Sequence, residues 1–179
     1  LDDRCAEQQQ TIEEVLKRLE EARQELHQRR RTYTSRLNSS VDALTKVEVF
    51  HQGDIESLGD ELRRVLNCPE SFDPAFAKDG IPSFLNKYQP KDPRFPNKVR
   101  DFKTDLIDLV EHGPESKIGQ AIKVDMRFYS RLANADTSDL VTDIMLWFPE
   151  DLVAVSYRPA PKSNFVAVDQ GSPGQKTAA

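Results

Sequence analysis

At 179 residues the chain has room for one globular domain with an appendage, and its 37% apolar and 31% charged residues suit a long solvated helix on a modest core. A net charge of −5 excludes general attraction to nucleic acid and confines any such contact to a local patch. No apolar run approaches the roughly 20 residues that span a bilayer, no signal-peptide pattern is legible, and Cys5 and Cys68 lie far apart in no metal-like spacing, so a reduced, cytoplasmic, membrane-free chain is expected.

Leu1 to about Ser40 reads as one helix. Leu1, Cys5, Gln8, Ile12, Val15, Leu19, Ala22, Leu26, Arg29 and Tyr33 recur at alternating steps of four and three, which predicts a coiled-coil seam. Gly and Pro are absent, and at about 1.5 Å per residue the helix reaches some 60 Å, more than a small domain covers. After Tyr33 the seam moves to Leu37, Val41 and Leu44, as in a stutter. Arg29-Arg30-Arg31 reads as a solvated run balanced by Glu20, Glu21 and Glu25.

Thr45 to His51 alternates and carries β-branched residues, which predicts a strand. Asp54 is placed to cap a helix through Leu66, ended by Asn67-Cys68-Pro69. Residues 69–101 are rich in Pro, yet Phe72, Phe76, Phe84, Tyr88 and Phe95 imply packed loops rather than disorder. The basic window Lys87, Lys91, Arg94, Lys98, Arg100 and Lys103, with Tyr88, Phe95 and Phe102 interleaved, suits either single-stranded nucleic acid or a solubilised connector.

Three helices are expected next. The first runs from Thr104 to His112 and stops at Gly113. The second starts at Pro114 and presents Ile118, Ile122, Met126, Tyr129 and Leu132. The third is capped by Thr137 or Ser138 and ends at Pro149. Their apolar faces read as core. Tyr129 needs a hydroxyl partner if its ring is buried. His51 and His112 read as lone histidines with no partner constellation, and no catalytic role is assigned to them. Asp151 to Arg158 predicts a strand, and Phe165 to Val168 one that pairs back as a hairpin. There is no Gly-x-x-x-x-Gly-Lys-Ser/Thr loop and no apolar strand ending in paired acids.

The last stretch, Asp169 to Ala179, turns from that strand toward Lys176-Thr177-Ala178-Ala179, which reads as a helix start. Backbone N–H groups at such a start attract anions. Gly171-Ser172-Pro173-Gly174-Gln175 resembles the signature loop of ABC-type ATPases, usually Leu-Ser-Gly-Gly-Gln. Gly171 replaces the usual Leu and Pro173 the usual first Gly, while Ser172, Gly174 and Gln175 match. With Lys176 after it, the motif is most similar to SMC-like ATPases, in particular the TrlF-like group associated with PHP phosphoesterases and anti-phage modules.

The resemblance implies the C-terminal half of an SMC-type head. The fold class expected is mostly helical α+β: a coiled-coil arm over 1–44, a helical lobe over 45–150, and a hairpin with the signature over 151–179. The implied cofactors are ATP and Mg²⁺, bound by the complete protein. Ser172, Gly174, Gln175 and Lys176 would contact ATP held by a second head. The implied partners are a second copy through the heads, DNA, and a nuclease or effector subunit, in DNA repair or phage defence. The chain starts inside a helical pattern without Met and ends just after a helix begins, so it reads as an excised segment without ATPase activity of its own. The alternative is a non-enzymatic coiled-coil interaction module.

Overall fold

The computed structural model describes residues 2–39, 44–160 and 162–168, and for residues 2–9 the backbone alone. It is mostly helical with a small antiparallel sheet, in agreement with the expected class. Contacts divide it into two units: one of Leu1–His51 with Asp151–Ala179, the other of Gln52–Glu150.

The first unit holds helix α1 (Asp2–Leu37) and strands β1 (Thr45–Phe50), β2 (Leu152–Tyr157) and β3 (Val166–Ala167). Some 100 residues separate β1 from β2, yet they pair antiparallel with Val47 opposite Val155 and Val49 opposite Val153. β3 pairs with the far end of β2, so β2 is central and the predicted hairpin is present but short. Ile12, Val15, Leu26 and Tyr33 of the predicted seam remain exposed. The better-covered line on α1 is instead Leu16, Leu19, Arg23, His27, Arg30 and Thr34, continued by Asn38 beyond its end. Most of that line is polar, and an apolar periodicity does not find it.

The second unit contains α2 (Leu58–Val65), α3 (Asp73–Phe76), α4 (Ser83–Asn86), α5 (Phe95–His112), α6 (Lys117–Ala121), α7 (Met126–Ala133) and α8 (Thr137–Leu146). Its core includes Leu62, Ile81, Leu85, Phe95, Leu106 and Phe128. The Asp54 N–H donates to the Glu150 carbonyl at 3.0 Å, so the chain enters and leaves this unit side by side.

Several boundaries differ from expectation. Asp54 does not cap α2; its carboxylate accepts the Glu56 N–H in a local turn, and the helix begins at Leu58. The supposed loop before residue 104 is already helix, because Pro96 sits in the first turn of α5, where a missing N–H costs nothing. α5 does end at Gly113, whose φ of +54° suits glycine. The single helix expected after Pro114 is two. Ser116 caps α6 by accepting the Gly119 N–H, Ile122 is extended, and Asp125 starts α7 by accepting the Arg127 N–H. Met126 lies outside the core in consequence, at 63% exposure. Asp136, not Thr137 or Ser138, caps α8, and that helix stops at Leu146 rather than Pro149. The Tyr129 hydroxyl finds its partner in the Gly119 carbonyl at 3.0 Å.

Candidate functional site

Ser172, Gly174, Gln175 and Lys176 lie outside the described residues. The basic window lies within them. Arg94 donates to Asp92 through both Nε and Nη2. Lys98 pairs with Asp101 at 3.1 Å and lies over the Tyr88 ring, as does Lys87. Lys103 donates to the Met145 carbonyl and sits 3.6 Å from the Phe148 ring centre. Lys91 and Arg100 are exposed. Phe95 and Phe102 are buried in the core, and Tyr88 is the partly accessible one of the three interleaved aromatics. A nucleic-acid surface here would therefore rest on cations rather than on a ladder of stacking rings.

The convergent polar site lies in the other unit and combines residues from three places in the chain. His27 comes from the polar line of α1, His51 directly follows β1, and Asp151 directly precedes β2. The β1–β2 register sets Phe50 opposite Leu152, which brings the next residues outward, His51 and Asp151, side by side. His51 Nδ1 lies 3.0 Å from Asp151 Oδ1, and His27 Nδ1 lies 3.2 Å from Oδ2. Arg30, one turn after His27, donates from Nη1 to Oδ2 at 3.0 Å. The two imidazole rings are 4.7 Å apart and tilted by 41°. Asp151 is 6% exposed, His27 8% and His51 17%, while Arg30 keeps 41% of its side chain in solvent.

An ionised carboxylate only accepts, so each Nδ1 facing it carries the proton. Three donors on two oxygens satisfy the buried charge, and Arg30 neutralises it. Burial lowers the His27 pKa below its ordinary value, against the opposing pull of Asp151. Burial thus disfavours the charged form of the ring.

No motif in the sequence marks this cluster: His51 has no partner near it in sequence, and His27 sits among charged residues of a helix. The one signal available was that both strands, once paired, end at a His and an Asp. Compared with protein-family models, curated proteins and solved structures, the chain matches none. Among the described residues no helix is long and apolar enough to cross a membrane.

Proposed function

We propose that the chain is a segment of an SMC-like ABC ATPase, in which Ser172, Gly174, Gln175 and Lys176 engage ATP held by a second head. Nucleotide-driven head dimerisation is then passed to the arm, which handles DNA or a partner protein. The observation that carries this reading is the anchoring of α1 to the sheet: His27 and Arg30 of the arm share the Asp151 carboxylate, and Asp151 leads directly into β2. β2 pairs with β3, and β3 leads in sequence into the signature-like stretch. A shift passed to β3 therefore has a route to the arm that runs along β2 to Asp151. A loop that binds only when the γ-phosphate is present supplies the differential contact that a population shift requires.

The alternative, a non-enzymatic interaction module, draws support from the exposed apolar residues Ile12, Val15, Leu26 and Tyr33 along α1. One experiment separates the two. Light scattering on the full-length native protein, with and without ATP, is compared between wild type and Ser172→Arg. The ATPase reading expects ATP-dependent dimerisation that the substitution abolishes. Dimerisation indifferent to ATP in both proteins defeats it and favours the module.

A further inference from the structure

We propose that His27, His51 and Asp151 form a binding site for one divalent transition-metal ion of the zinc class, which ties the arm helix to the base of the sheet. The residues are of ligand type and come from three separate elements, and one ligand atom from each lies within 4.8 Å of the others. All three side chains are largely shielded from water.

The spacing suits an ion. Ligands bound tetrahedrally at about 2.0–2.1 Å stand about 3.3 Å from one another. His51 Nδ1 already stands 3.0 Å from Asp151 Oδ1, close to that edge length, while His27 Nδ1 faces the other oxygen, Oδ2, at 3.2 Å and has to turn toward the ion. Binding requires each ring to carry its proton on Nε2 instead of Nδ1. The imidazoles stay neutral, and no net proton is lost.

Two nitrogens and one carboxylate select zinc, copper, nickel or iron(II) over calcium or magnesium, which prefer all-oxygen sets. Arg30 then serves as an outer partner that orients the Asp151 carboxylate through Oδ2. Its partial exposure lets water stabilise the added charge. Three protein ligands leave a fourth position for water or another group.

The test uses tag-free chain stripped of metal with a chelator and then titrated with Zn²⁺ by calorimetry and with Co²⁺ by visible absorption. We expect one equivalent bound at micromolar concentration, with cobalt bands of a nitrogen–oxygen site. His51→Ala and His27→Gln should each weaken binding on the order of 100-fold or more, and Arg30→Met about 10-fold. His112→Ala should leave binding unchanged, since His112 is exposed beside Asp108 in the other unit. Wild type that binds no stoichiometric ion overturns the proposal, and this outcome does not depend on whether any variant folds. A sulfur-to-cobalt charge-transfer band, or full affinity in folded His51→Ala, places the ion elsewhere and overturns it equally.

Discussion

Asn38 grips the backbone of Val47 with both ends of its amide: Nδ2 donates to the Val47 carbonyl at 2.7 Å, and Oδ1 accepts the Val47 N–H at 2.9 Å. β1 is an edge strand, and Val47 turns its backbone groups away from β2. The Asn38 side chain thus imitates a neighbouring strand for one residue and fixes the end of α1 to the sheet edge.

Asn38→Ala should therefore loosen the arm where it joins the sheet. Two hydrogen bonds vanish, and a part-buried N–H and carbonyl lose their partner. The expected loss is about 1–3 kcal/mol of stability in that unit. Hydrogen exchange at the Val47 amide reads it out. Unaltered protection of that amide in the variant contradicts the arrangement.

Asp151 is the second fastening. In metal-free buffer, Asp151→Ala leaves three donors facing an empty acceptor position, one of them a guanidinium. A destabilisation of about 3 kcal/mol is expected. Arg30→Met removes the cation that neutralises the buried Asp151 carboxylate, and should cost somewhat less only because the His27 and His51 donors still hold both oxygens. Denaturant unfolding of both single variants and the double variant gives the coupling. Strict additivity would show that Arg30 and Asp151 do not act together.

These two fastenings also explain how far the sequence could be read. The long helix, β1, β2 and the closing hairpin all follow from local periodicity, and their placement agrees. The helices of the 52–150 unit were visible as apolar faces, but their limits were not. A cap such as Asp125 or Asp136 is one candidate among several nearby acids until the backbone shows which one accepts. The pairing of β1 with β2 is a long-range fact with no local signature. The face that α1 turns to the sheet is read through His27, Arg30 and Asn38, whose polarity argues for solvent until their partners are known. The apolar seam runs beside that face, shares Leu19 with it, and leaves Ile12, Val15, Leu26 and Tyr33 exposed.

Gly59, in the first turn of α2, is a steric necessity. A Cβ built there stands 2.4 Å from the Phe76 carbonyl oxygen, a backbone atom of α3 that cannot rotate away. Gly59→Ala should force α2 and α3 apart and cost about 1–3 kcal/mol despite the better helix propensity of alanine. Trp147, the only tryptophan, reports on this. Its indole donates to Glu61 on α2 at 3.0 Å and packs edge-on against Phe102. A lower midpoint in tryptophan-fluorescence unfolding is expected. A midpoint equal to or above wild type would mean the two helices have room that the geometry denies.

Cys68 gives a prediction with a defined pH window. Burial pushes its thiol up to about 11 from an ordinary 9.0, against a weaker lowering by the Arg131 charge, and Sγ donates to the Leu66 carbonyl. The folded chain therefore holds the neutral thiol, whereas the unfolded chain ionises above pH 9.0. A folded pKa raised above the unfolded one gives stability that is complete below the unfolded value and is lost as pH rises toward about 11. In a Cys5→Ser background, iodoacetamide at pH 8 should label unfolded chain readily and folded chain hardly at all. Cys68→Ala should flatten the alkaline fall in unfolding midpoint between pH 9 and 11. Rapid labelling of the folded chain at pH 8 would show that the thiol is neither buried nor held protonated.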